Sequence, residues 1–260
     1  GSEYDVITSN VIWPAEFSQA DFVLPLDRFI ERDDINLNDY VQGYIDAYTF
    51  QGRLWGMPLY GNAGLLYYRT DIIDTPPKTW EELVKMSKEH MGENGTEKGF
   101  VFQAAQYEGL VCNAAEYISS HGGTIIDADG NIAIASEDAI EGLTTMVNIA
   151  QSDIVPSDIV NFKENETLIY FLAGKAVFAR NWPYMWGLSQ DESESQVVGK
   201  VGTAPLPAGD SGSAAALGGW GVMINKNTKN PEAAWEFVKF LTGPEGQKIN
   251  AVVGSQLPTY

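Results

Sequence analysis

Apolar and polar positions alternate between two spacings along the chain. Tyr4-Asp5-Val6-Ile7 reads as a short buried strand, as do Arg53-Leu54-Trp55-Gly56-Met57-Pro58 and Gly64-Leu65-Leu66-Tyr67-Tyr68-Arg69. Phe100-Val101-Phe102 and Ala176-Val177-Phe178 repeat that character. Between them the period lengthens. Trp13-Pro14-Ala15-Glu16-Phe17 opens a helix, with proline in the first turn and glutamate at the positive helix end. Thr79 begins a clear helix as N-cap, with Glu82 three residues on and Leu83, Val84 and Met86 following. Helical spacing recurs over Tyr107 to Ser120, Ser136 to Gln151 and Glu166 to Ala173. Asn230-Pro231-Glu232 caps another helix through Phe237, Phe240 and Leu241, and Gly243-Pro244-Glu245 starts the last. Leu24-Pro25-Leu26-Asp27 reads as a turn into an acidic segment running to Asp39. Thr124-Ile125-Ile126, Asp129-Gly130 and Ile132-Ala133-Ile134 give a hairpin signal. Strands and helices interleave, which predicts an α/β fold. Ser189 to Ala216, rich in Ser, Gly, Ala and Glu, reads as a connector within which residues 202–207 are extended.

Composition and charge narrow the class. The chain has 260 residues, 44% of them hydrophobic, enough for a substantial core. Sixteen Lys and Arg against 35 Asp and Glu give a net charge of -19, which repels phosphate backbones and anionic membranes, so no nucleic-acid partner is expected. No apolar run approaches the roughly 20 residues that span a bilayer. The one cysteine, Cys112, excludes an internal disulfide and a cysteine-built metal site, and its apolar neighbours predict a buried inert thiol.

Catalytic motifs are weak. Gly209-Asp210-Ser211-Gly212 superficially matches a serine nucleophile loop, but neither His90 nor His121 lies in a triad motif. Asp127-Ala128-Asp129-Gly130-Asn131 resembles part of a calcium loop but lacks the later bidentate glutamate, so a hairpin turn is the better reading. No metal or nucleotide cofactor signature appears, so no cofactor is expected. Asn94-Gly95-Thr96 and Asn165-Glu166-Thr167 are short glycosylation-type matches and carry little weight.

The aromatic inventory says more. Seven Trp and 12 Tyr are many for this length, and several sit beside Gly, Pro or Asn. Flat aromatic faces next to amides and carboxylates suit a sugar, whose C–H face stacks while its hydroxyls hydrogen-bond. Trp80 and Trp235 read as helix core and Trp55 as strand core, while Trp13 and Trp186 are evenly balanced. Trp182, Tyr184 and Trp220 favour a ligand, each held by a Pro or Gly neighbour outside regular structure.

Ordered stretches over nearly the whole chain carry a family resemblance. They include Val11-Ile12-Trp13-Pro14-Ala15-Glu16-Phe17, Met57-Pro58-Leu59-Tyr60, Pro77-Lys78-Thr79-Trp80-Glu81-Glu82-Leu83 and Gln106-Tyr107-Glu108-Gly109. Arg180-Asn181-Trp182-Pro183-Tyr184, Leu217-Gly218-Gly219-Trp220 and Ala234-Trp235-Glu236-Phe237 follow in order. The chain resembles the extracellular solute-binding proteins of ABC-type sugar importers, family 1, nearest the trehalose/maltose-binding branch. The resemblance implies a two-lobe periplasmic-binding-protein-like fold of type II, incomplete at both ends, as in a fragment. Lobe 1 is expected over residues 1–60 and 220–257 and lobe 2 over 61–217, with crossings near 58–62, 217–220 and 257–260, and a sugar bound between the lobes. The family's sugar-contact positions fall on Asn10, Tyr60, Asn62, Tyr107, Trp182, Tyr184, Gly219 and Trp220, to which Trp13 and Glu108 are added candidates. Asn10 and Asn62 stand where that branch has acidic residues. An amide both donates and accepts, so the hydroxyl pattern read here differs. The implied function is a non-enzymatic receptor for a mono- or oligosaccharide, an α-glucoside, serving a membrane permease. It would sit at the extracellular face, lipid-anchored, or in the periplasm. The alternatives are a carbohydrate-active hydrolase and a binder of a non-sugar solute.

Overall fold

The computed structural model describes residues 3–260. The chain opens with β1 (Val6–Asn10), α1 (Pro14–Gln19), α2 (Asp27–Arg32) and α3 (Gln42–Tyr48), then β2 (Thr49–Phe50), β3 (Arg53–Leu54) and β4 (Met57–Ala63). It continues through β5 (Leu65–Arg69), α4 (Trp80–His90), β6 (Lys98–Val101), α5 (Glu108–Ser120), α6 (Glu137–Ala150) and α7 (Glu164–Leu172). Next come β7 (Ala176–Asn181), α8 (Met185–Ser189), β8 (Val201–Ala204), β9 (Leu217–Ile224), α9 (Pro231–Thr242) and α10 (Pro244–Gly254). Strands and helices interleave as the periodicity predicts. They pack as two units, one formed by the chain up to Ala63 together with Leu217–Tyr260, the other by Gly64–Ala216.

In the first unit β9 lies between β1 and β4, antiparallel to both. One face of this sheet carries a stripe of glycines. Gly61, Gly219 and Gly221 leave room for the Tyr44 and Tyr48 rings of α3, which sit where any Cβ would fall. The Tyr48 hydroxyl, fully buried, donates to the Ser9 carbonyl at 2.6 Å, and the Tyr44 hydroxyl donates to the Asn62 carbonyl at 3.2 Å. Beyond the sheet, Phe29 stacks on Trp235 with centroids 5.2 Å apart, so helices α2 and α9 share one aromatic core. Asp33 caps that contact. It accepts from the Trp235 indole and the Lys239 ammonium at 2.8 Å each, and from Arg32 Nε at 2.7 Å. These donors, Arg32 foremost, hold the Asp33 carboxyl below the usual carboxylate range.

The second unit is built on a four-stranded sheet in the order β6-β7-β5-β8. Only the β6–β7 pair is parallel, joined through α5, α6 and α7. Its inner strand β7 is buried on both faces, with every residue buried. Helix α4 starts as the sequence predicts. Thr79 Oγ1 accepts from the Glu82 amide at 3.1 Å, and the Glu82 carboxylate reaches back to the Lys78 amide at 2.7 Å. Ser136 caps α6 in the same manner. Trp80 is buried and stacks on Tyr117 at 4.0 Å, so it is core, as is Trp235.

Three local expectations change. Residues 124–134 form no hairpin strands; a single bridge, Ile126 to Ile132, closes over a loop in which Asp127 binds the Asn131 and Asp129 amides. Trp220 is not loop-borne, since it lies within β9. Cys112 is half-buried rather than buried; it lies one helical turn from Glu108, to whose carboxylate its thiol donates at 3.3 Å. Burial and that carboxylate push the thiol up to about 12.

Two outcomes test this frame. Gly219 has φ +150°, and a Cβ there would lie 2.7 Å from the Tyr60 carbonyl. Gly219→Ala is therefore expected to cost about 1–3 kcal/mol in urea unfolding. Asp33 titrates lower folded than unfolded, so its contribution is present above a pH of about 4 and drains below it. The Tm of Asp33→Asn is expected to fall less than that of the wild type as the pH drops from about 5 to about 3.

Candidate functional site

The register of the first sheet gathers most of that unit's candidates. Asn10 and Tyr60 both lie directly opposite Trp220, one on each flanking strand. Directly paired residues project from the same face, so Asn10, Trp220 and Tyr60 form one row across three strands. Asn62 follows Tyr60 by two positions and shares that face, and the residue opposite it is Gly218, which has no side chain to cover it. Trp13, at the start of α1, sets its ring edge-on to Trp220 with centroids 5.6 Å apart and stacks on Phe17. The Asn10 carboxamide oxygen accepts from the Ile12 amide at 3.3 Å, which orients it at the end of the row. Asn62 Oδ1 is buried with no hydrogen-bond partner. An orphaned acceptor of this kind costs about 1–3 kcal/mol until a donor reaches it. Gly219 adds no side chain, which lets the Tyr44 ring pack against the reverse side of the sheet.

The second unit places its candidates around the end of β7. Alternation along the strand puts Arg180 and Trp182 on one face and Asn181 on the other. The Arg180 guanidinium lies 4.0 Å from the centroid of the Trp182 indole, a cation–π contact that occupies part of the ring. Asn181 Oδ1 accepts from the Trp182 amide at 2.8 Å, and the Tyr67 hydroxyl donates to the Trp182 carbonyl at 2.9 Å. The indole N–H donates to Glu164 Oε1 at 3.2 Å. Tyr184 sits two residues further on, and burial followed by the Glu164 charge pushes its hydroxyl up to about 12. Tyr107, before α5, carries the Lys163 ammonium 5.3 Å from its ring centroid. Its hydroxyl is buried over Gly109 and lies beside the Glu164 carboxylate, outside good hydrogen-bond geometry among the described residues. Burial and the neighbouring Glu164 raise it well above the tyrosine range, so it stays protonated. Glu108 is exposed at the first turn of α5 and holds only Cys112.

Below Trp182 lies a group that the sequence does not single out. Arg180 donates from Nε and Nη2 to the Glu116 carboxylate at 2.9 and 2.5 Å, and from Nη1 to Gln103 at 3.1 Å. Arg180 and Glu116 side chains are each 1% exposed. The Ala216 amide adds a bond to Glu116 Oε1 at 3.0 Å. Such a bidentate pair fixes the plane of the guanidinium, and with it the indole that rests on it. Glu164 is the other residue missed. It is one of 35 acidic residues, and its partner Trp182 lies 18 positions away.

A groove of about 740 Å³ also opens on the second unit, bounded by α4, α6 and the loop at Gly209. Its rim mixes Lys85 and Lys88 with Glu81 and Asp210, and no candidate residue lines it. It offers neither the free aromatic faces nor the orphaned polar groups found elsewhere. Among the described residues no cluster of His, Cys, Asp or Glu is arranged to hold a metal ion. No helix is long and apolar enough to cross a membrane.

Comparison with known proteins places this architecture. Residues 1–248 match the family described as bacterial extracellular solute-binding protein, and the chain belongs to that family. A probable ABC transporter-binding protein of Deinococcus radiodurans is 37% identical over 99% of this chain and 63% of its own length. The maltodextrin-binding protein MdxE of Bacillus subtilis is 26% identical over 74% of this chain and 46% of its own. Among solved structures, maltose-bound T. maritima MalE3 superposes with a TM-score of 0.91 at 40% identity, covering 100% of this chain and 67% of that one. The chain thus spans less than two thirds of the length of these curated relatives. The α/β fold is that of the solute-binding proteins, and these relatives are named as binding proteins.

Removing one partner of the buried pair leaves an uncompensated charge. Arg180→Met is expected to destabilise by about 3–5 kcal/mol in chemical denaturation. The double variant Arg180→Met with Glu116→Leu is expected to recover part of that loss.

Proposed function

We propose that this chain is the sugar-binding part of a receptor for an ABC importer. It captures a mono- or oligosaccharide, an α-glucoside, outside the cell and passes it to a membrane permease without chemical change. The row Asn10–Trp220–Tyr60 carries this reading. It sets an indole between a carboxamide and a phenol, the combination that stacks on a sugar ring and reads its hydroxyls. The orphaned Asn62 oxygen supports it, since a sugar hydroxyl is the donor that it lacks. In the second unit Trp182, Tyr184 and Tyr107 offer a second aromatic surface, with Glu108 at its exposed edge. The naming of relatives for maltose and maltodextrin points to α-linked glucose as the ligand class. The location follows as the extracellular face of the membrane, through a lipid anchor, or the periplasm.

Isothermal titration of the full-length protein with maltose, trehalose and spermidine tests the reading. Heat is expected with at least one α-glucoside and none with the polyamine. Trp220→Ala and Trp182→Ala are each expected to weaken the bound sugar by roughly ten- to a hundredfold, the worth of a stacked aromatic face. Chromatography of the recovered sugar should return it intact. Turnover of maltose, or heat from spermidine alone, would replace the receptor reading with one of its alternatives.

A further inference from the structure

Glu164 sits at the first position of α7 and is half-buried among aromatic rings. Its Oε1 accepts from the Trp182 indole, and its backbone carbonyl accepts from Asn181 Nδ2 at 3.2 Å. Among the described residues no Lys or Arg pairs with it; the adjacent Lys163 points its ammonium over the Tyr107 ring instead. The Tyr107 hydroxyl also comes within reach of this carboxylate, and among the described residues no further protein donor meets it. A partly desolvated carboxylate with neutral donors and no countercharge is costly to keep, and its remaining lone pairs stay open to another donor. Three aromatic side chains feel its charge, Tyr107 and Tyr184 through their raised hydroxyls and Trp182 through its N–H.

We infer that Glu164 is a specificity-determining residue of the sugar site: one oxygen fixes the rotation of the Trp182 indole, and the other accepts a hydroxyl from the ring stacked on it. This rests on the sugar-receptor reading and adds a residue to it. The chemistry is selective. An ionised carboxylate only accepts, so the group opposite it must be a donor, and a charge-assisted O–H···O⁻ bond is about twice as strong as a neutral one. A ligand that lacks that single hydroxyl leaves the carboxylate desolvated and unpaired, a heavier loss than the bond alone. Arg180 beneath the ring and Glu164 at its edge thus define the indole in two directions, leaving the rest of its surface for the guest.

The test uses the full-length protein, its Glu164→Gln and Glu164→Ala variants, maltose, and maltose analogues each lacking one hydroxyl. Before any sugar is added, the Trp182 indole N–H resonance reports the hold on the ring. It is expected to shift and lose exchange protection in Glu164→Ala, and to keep most of its protection in Glu164→Gln, whose carbonyl still accepts. With maltose, Glu164→Gln is expected to bind roughly tenfold more weakly and Glu164→Ala more weakly still. One deoxy analogue is expected to bind wild type poorly yet match maltose on Glu164→Ala, a coupling that a merely structural role does not produce. Equal maltose affinity in all three proteins, or the same deoxy penalties in wild type and variants, would overturn the inference. A wild type that binds none of the sugars would sink the receptor reading and this ligand contact with it, while the indole resonance would still separate that failure from a loss of the Glu164–Trp182 bond.

Discussion

An arginine that is almost wholly out of water must have its charge met on every side, and Arg180 is met at close range. Glu116 takes two of its nitrogens, Gln103 a third, and the remaining face of the guanidinium lies under Trp182. The partners are themselves held. Gln103 returns a bond to the Arg180 carbonyl and takes one from Asn113, and Glu116 takes the Ala216 amide. A network this complete has one low-energy arrangement, because turning any member strands another in a medium that cannot solvate it. Such a pair adds little net stability over apolar residues of the same volume. What it supplies is position. The indole above it stands on a rigid plate rather than on a flexible neighbour, and the end of β7 inherits that rigidity.

The first unit reaches a comparable result by different means. Its aromatic row is not clamped by charge but spaced by the strand register, with β9 between β1 and β4. The bare glycine stripe on the reverse side lets Tyr44 and Tyr48 press flat against the backbone. The sheet is thus braced from behind by two phenols whose hydroxyls end on main-chain carbonyls of β1 and β4. Side chains that contact a ligand from the centre of a braced sheet lose little conformational freedom on binding, which favours affinity.

Much of this is legible in the residues, for reasons that differ from place to place. Helices α4 and α6 are visible because a capping side chain and more than two turns of period coincide, as at Thr79 and Ser136. The helices α2, α3 and α8 have five to seven residues and no capping side chain, so only tertiary packing defines them. The aromatic candidates stand out from their neighbours, but the reason attached to Trp220 differs from the structural one. The flanking glycines that look like loop markers belong to a strand, and their smallness serves Tyr44 and Tyr48 on the opposite face. Glu164 and the Arg180–Glu116 pair are invisible for a simpler reason. Their meaning depends on partners 18 and 64 positions away, and neither residue type is unusual in so acidic a chain.

Cys112 carries one more consequence. With its thiol pushed up to about 12, Cys112 holds little thiolate near neutral pH. Peroxide and disulfide exchange both act through the thiolate. Outside the cell oxidants act without the reducing pool of the cytosol, so there the protonation state of a thiol decides its fate. Here burial, and after it the Glu108 carboxylate one helical turn away, favours the unreactive protonated form of the chain's lone sulfhydryl.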